Sequence, residues 1–145
     1  LRFVRKGKGV TNITGEKLSE DQVISAVSAG LRDAGHIVDT FLVLADEHAS
    51  AYRIFIEAPP GISLVALSEK IETELRQRNG EYDDKRASGR LHSVKVGRFL
   101  EGVGQAIKAR LLKEGVRESQ YKPPVLGYWK EWSDWIGDWV DREAS

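Results

Sequence analysis

The sequence predicts an α+β domain: a small central mixed β-sheet of three to four strands with helices packed against it, plus a short N-terminal β-hairpin. Three observations point there. The run from Ile37 to Ala45 is nearly all apolar and β-branched, too short for a helix and suited to a strand covered on both faces. Several stretches place apolar residues three and four apart between residues that start and stop helices. The predicted order, β-β-α-β-β-α-β-α-α, contains no repeat and no low-complexity tract, which suits one domain. At 145 residues the chain can bury a core without disulfides or metal staples.

Leu1 to Val4 alternates weakly before the basic turn Lys6-Gly7-Lys8-Gly9, and Val10-Thr11-Asn12-Ile13 is rich in β-formers. Residues 1–13 read as a short hairpin with a glycine turn. Ser19, with Gln22 three residues on, has the capping-box relation and starts a helix carrying Val23, Val27 and Leu31, stopped by Gly35. After the strand at 37–45, Asp46 to Ser50 is a polar turn and Tyr52 to Glu57 a second strand, closed by Pro59-Pro60-Gly61. Asp39, inside the apolar strand, would face a helix end or an interface.

Ser63 caps a helix with Leu64, Leu67, Ile71 and Leu75 on one stripe, ended by Asn79-Gly80. Residues 81–90 read as a charged, solvated loop containing Asp83-Asp84-Lys85-Arg86 and Arg90, followed by a strand at 91–96. Gly102 to Glu114 reads as a helix with Val103, Ile107 and Leu111 inward, stopped by Gly115. Consecutive prolines exclude a helix at Gln120-Tyr121-Lys122-Pro123-Pro124. Trp129, Trp132, Ile136 and Trp139 then form one face of an amphipathic helix, with Trp135 off it.

Composition excludes much. Lys plus Arg is 22 and Asp plus Glu is 22, so the net charge is zero and nothing favours nucleic acid or an anionic membrane surface. There is no cysteine, hence no disulfide, thiolate metal site or cysteine nucleophile. The histidines at 36, 48 and 92 lack the spacing of a zinc motif, and no metal ligands are expected. No nucleophile-elbow sequence occurs, which argues against a self-contained hydrolase. Without a signal-like opening, the expected location is cytoplasmic. The chain has no methionine even at position 1, so it is expected to be an excised piece of a longer protein.

Two segments are candidate sites. In Thr14-Gly15-Glu16-Lys17, between a strand and a helix start, a glycine admits close approach and a lysine adds mobile positive charge, a combination that suits phosphate. The plainer reading is an ordinary strand-to-helix turn. In Gln120 to Pro124, the prolines would present Tyr121 and Lys122 with little ordering cost; the plainer reading is a connector whose tyrosine plugs the core. Neither Lys6-Gly7-Lys8-Gly9 nor Gly102-Val103-Gly104 has the spacing of a phosphate loop.

Three stretches in order resemble one family. Phe3-Val4-Arg5 leading to Val10 through Glu20 resembles the opening of the C-terminal domain of the auxin-responsive acyl acid–amido synthetases, within the acyl-adenylate-forming superfamily. Asn79, Tyr82, Lys85 and Arg86 with Gly89-Arg90-Leu91 resemble its segment before the last strand, and Gly115 through Pro124 its closing Gln-Tyr-Lys-Pro motif. The tryptophan-rich tail and Pro124 depart from its plant members.

The resemblance implies a mobile C-terminal cap of a larger enzyme. Its own N-terminal domain would be its partner and would bind Mg-ATP and a small carboxylic acid. The acid is adenylated, then passed to an amino-acid amine. Lys17 would be the catalytic residue, reaching the nucleotide phosphate during adenylation. Gly15, Glu16, Lys17, Tyr121 and Lys122 are the candidate nucleotide contacts. Two alternatives remain open from the sequence: a thiol acceptor such as coenzyme A or a carrier protein, and a non-catalytic binding module using the tryptophan face.

Overall fold

A computed structural model describes residues 9–36 and 40–141. The elements, in order, are β1 (Val10–Thr11), β2 (Leu18–Ser19), α1 (Glu20–Asp33), β3 (Phe41–Asp46), β4 (Ala51–Ile56), α2 (Leu64–Arg78) and α3 (Gly80–Ala87). They continue with β5 (Lys95–Arg98), α4 (Val103–Lys113), β6 (Leu126–Tyr128) and α5 (Trp129–Ile136). Single 3₁₀ turns lie at Glu118–Gln120 and Gly137–Trp139.

The main sheet is mixed, in the order β5-β4-β3-β6. β3 and β4 are antiparallel, Phe41 opposite Ile56 and Asp46 opposite Ala51; β5 and β6 run parallel to their neighbours. Alternation along β3 decides the layers. Phe41, Val43 and Ala45 face α1 and α2 together with Tyr52, Ile54 and Ile56 of β4. Leu42, Leu44 and Phe55 face the opposite way, onto α4 and α5. The central strand is therefore covered on both faces, as its unbroken apolar run requires. At the α1–α2 contact Gly30 lies so close that a Cβ there would meet Leu67 and Ile71 side chains at 3.0 Å.

The helix signals are confirmed residue by residue. Ser19 and Gln22 form the reciprocal capping box of α1, and Ser63 caps α2 through the Ala66 amide. Gly35 and Gly115, just past α1 and α4, adopt φ of +81° and +111°, which suits glycine.

Four expectations are corrected. The antiparallel N-terminal pair does form, but it joins β1 to β2 around the turn 12–17; the rest of the expected 1–13 hairpin, residues 1–8, lies outside the described residues, as do residues 37–39 of the expected 37–45 strand, Asp39 among them, and that strand is observed at 41–46. Residues 81–90 are not a solvated loop: most of them belong to α3. Asn79 caps it, Tyr82 is buried, and Arg86 pairs with Glu72 at 2.6 Å. The fifth strand lies at 95–98 rather than 91–96; Leu91 and Val94 are buried by packing, without joining the ladder. β6 is a strand beyond those the sequence predicts, three residues that follow two prolines and join the sheet in parallel.

The tryptophans cover the second face of the sheet. Trp132 is fully buried, Trp129 stacks on Phe55 at 6.1 Å, and Trp135, expected off the face, lies 5.7 Å from Trp132 and 6.2 Å from Trp139. The Arg110 guanidinium sits over both Trp132 and Trp135. The face proposed as a partner-gripping surface is spent on the chain's own core.

Candidate functional site

The turn joining β1 to β2 is built around an inward-facing carboxylate. Glu16 is completely buried, and its two oxygens accept from the Ile13 amide (2.7 Å), the Thr14 amide and hydroxyl (both 2.9 Å) and the Tyr52 hydroxyl (2.7 Å). The Tyr52 oxygen also lies 3.0 Å from Thr11 Oγ1. Burial pushes the Glu16 carboxyl up, but the hydrogen bonds from Tyr52, Thr14 and Ile13 outweigh it and hold the group below the ordinary carboxylate range. Burial and the neighbouring Glu16 charge push the Tyr52 phenol far above its usual range, so it stays protonated.

Gly15 adopts φ of +117°, which turns the chain so that its amide donates to Asn12 Oδ1 at 2.6 Å. The Asn12 amide in turn donates to the Tyr128 hydroxyl at the end of β6. Lys17 follows immediately. Its amide donates to Glu81 Oε1 at 3.3 Å and its carbonyl accepts from Asn79 Nδ2 at 2.8 Å. Lys17 itself is exposed. The backbone is thus held at both ends while the four-carbon stem and ammonium project into solvent.

Asn79 organises this junction. It ends α2, starts α3 by accepting the Tyr82 amide at 2.8 Å, and donates to Gln22 Oε1 of the α1 capping box at 2.9 Å as well as to Lys17. Behind it Glu72 accepts from the Tyr82 hydroxyl, Arg86 Nε and the Val94 amide. Burial, then the Glu72 charge, pushes the Tyr82 phenol far above its ordinary range.

The turn therefore differs from a phosphate loop. The amides of Ile13, Thr14, Gly15 and Lys17 are all engaged by the chain's own acceptors. The α1 start is closed by its capping box and carries Glu20 and Asp21 in its first turn. An anion here would be met by side chains rather than by backbone or helix end.

The second candidate segment reaches the same end of the molecule. Lys122 is exposed, with Nζ 3.7 Å from Glu20 Oε1 in the first turn of α1. Tyr121 is half-buried against the α4–α5 core, with Lys108 Nζ 5.5 Å from its ring, and burial raises its phenol. It also lines a cavity of about 360 Å³ with Phe41, Gly104, Ile107 and Pro123. Among the described residues no group of three or more His, Asp or Glu could hold a metal ion. Tyr52 and Glu72 carry no local signal, because their partners are distant in the chain, and Asn79 by itself reads only as a helix end.

By architecture this is an α+β module with helices on both faces of a mixed four-stranded sheet and a lysine displayed on a rigid turn. The model of the GH3 family C-terminal domain matches residues 21–131, and the chain belongs to that family. Among solved structures it is similar to a GH3.15 acyl acid amido synthetase, with TM-score 0.76 and 21% identity over 92% of this chain. A second structure, AtGH3.15 acyl acid amido synthetase in complex with 2,4-DB, gives TM-score 0.74 and 18% identity over 92%. At these identities the likeness is one of fold. The chain spans 25% and 26% of those two chains. No curated protein matches it.

Proposed function

We propose that this domain is the mobile C-terminal cap of an ATP-dependent acyl acid–amido synthetase. A larger N-terminal domain would bind Mg-ATP and the carboxylic acid, catalyse attack of the carboxylate on the α-phosphate, and release pyrophosphate. The amine of an amino acid then attacks the acyl carbon and AMP leaves. Membership of the GH3 family and the fold it shares with acyl acid amido synthetases four times its length support this reading.

The observation that carries it is the presentation of Lys17. A group that must reach a phosphate in one half-reaction and withdraw in the next needs a fixed base and a free tip. Lys17 has both: its amide and carbonyl are tied to Glu81 and Asn79, and its side chain is exposed. The ammonium, once swung into the site, would stabilise charge developing on the phosphate. Lys122, exposed beside the start of α1, and Tyr121, half-buried next to it in the chain, would be further nucleotide contacts. Buried Glu16 would act indirectly, by fixing the turn under Gly15 and Lys17.

The test is product analysis with the full-length protein, ATP and a panel of aryl and alkyl carboxylic acids, offered either amino acids or coenzyme A. Amide and AMP formation with amino acids is expected. Thioester formation alone would replace the amine acceptor with a thiol, and no ATP turnover with any acid would overturn the reading.

A further inference from the structure

The space above Gly15 is already taken. A Cβ built there would stand 3.3 Å from both Cε and Nζ of Lys85, so the tip of Lys85 lies against the Gly15 backbone, two residues before Lys17. Lys85 rides on α3, which is fixed by the Asn79 cap at its start and by the bonds of Tyr82 and Arg86 to Glu72 along its length. Other basic residues nearby are neutralised: Arg86 by Glu72, Arg76 by Asp83 and Arg78 by Glu74. Neither Lys85 nor Lys17 is paired with a carboxylate among the described residues. Glu81, one helical turn before Lys85, directs its carboxylate to the Lys17 amide instead.

We propose that Lys85 is a second phosphate-contacting residue of this domain, holding an ammonium at the Gly15 turn beside Lys17 for the triphosphate of the nucleotide. The inference rests on the reading of Lys17 given above and adds a residue to it. Because the turn's amides are consumed internally, cationic side chains are the means left for neutralising a polyanion here. Ammonium groups on flexible stems act on phosphate as hydrated point charges, so two in one place share that task. Their mounting separates their roles. Lys85 stands on a braced helix and is in place before chemistry, so it favours ground-state binding of ATP. Lys17 acts on charge that develops in the transition state.

ATP–pyrophosphate exchange is measured on the full-length enzyme with an acid that the wild type adenylates, for Lys85→Ala, Lys85→Arg and Lys17→Ala. Lys85→Ala is expected to raise KM for ATP about tenfold with kcat changed less than about threefold, the signature of lost uniform binding. Lys85→Arg should recover most of the affinity, and the melting temperature should stay at the wild-type value. An ATP KM within about twofold of wild type in Lys85→Ala, while Lys17→Ala loses adenylation, would overturn the role of Lys85 alone. Full adenylation by Lys17→Ala would overturn the reading of the turn, and this inference with it.

Discussion

Asn79 holds Lys17: its Nδ2 donates to the Lys17 carbonyl at 2.8 Å across 62 positions of sequence. The same side chain caps α3 and reaches Gln22 at the α1 start. One residue therefore ties the candidate lysine to the ends of three helices, its side chain to the starts of α1 and α3 and its backbone N–H to the end of α2, which fixes where the lysine's stem begins.

Asn79→Ala removes a buried cap and leaves the Tyr82 amide and the Lys17 carbonyl without their partner. Loss of an N-cap costs about 1 kcal/mol and unsatisfied buried groups add to it, so a destabilisation of about 2 kcal/mol is expected. Urea unfolding of the domain measures it. Asn79→Asp keeps the acceptor for Tyr82 but loses both donations, to Lys17 and to Gln22, so it should be clearly less stable than wild type despite the retained cap.

Glu16→Gln should cost about 2 kcal/mol at neutral pH, because a charged acceptor with four donors becomes a neutral amide that cannot accept them all. The loss is pH-dependent with a fixed sign. The folded carboxyl holds its proton less tightly than the unfolded one, so its stabilisation is complete above about pH 4.5, the ordinary value, and disappears as the pH falls through the lower folded value. Unfolding of wild type and Glu16→Gln across pH 7 to 3 should show the two curves converging on the acid side. A gap independent of pH would contradict the assignment.

Trp132 is the largest fully buried side chain; it lies in one cluster with Leu42 and Leu44 on the second face of the sheet, against Trp135 and the Arg110 guanidinium. Trp132→Ala should lower stability by about 3 kcal/mol, as truncation of a large core aromatic does. Trp129→Ala, at a half-buried position, should cost less. Calorimetric melting of both variants checks the order.

What was legible in the sequence was what local chemistry specifies. The Ser19–Gln22 box, the Ser63 cap, the stripe Val103-Ile107-Leu111 and the apolar run of β3 all state their structure within a few residues. α3 did not: Gly80 to Ala87 has one apolar anchor, Tyr82, and no stripe, and its stability comes from Glu72 and Asn79. β6 lacked a turn signal because it joins β3 in parallel, far from it in sequence. The same division runs through the site. Lys17 could be picked out beside Gly15, since an exposed lysine at a glycine turn is a local pattern. The inward direction of Glu16 depends on Tyr52, 36 positions away, and the approach of Lys85 to Gly15 depends on α3, which the sequence had hidden.

Lys17 is proposed to serve adenylation from a mobile cap. The most direct measurement is the paired half-reaction rates of Lys17→Ala and wild type in the full-length enzyme: adenylation from acid plus ATP, and amide formation from pre-made acyl-adenylate. Adenylation should fall by roughly 100-fold, equivalent to about 2.7 kcal/mol, while amide formation changes far less, because that step does not build charge on the phosphate in the same way. Equal losses in both steps with a lowered melting temperature, or full retention of adenylation, would contradict it.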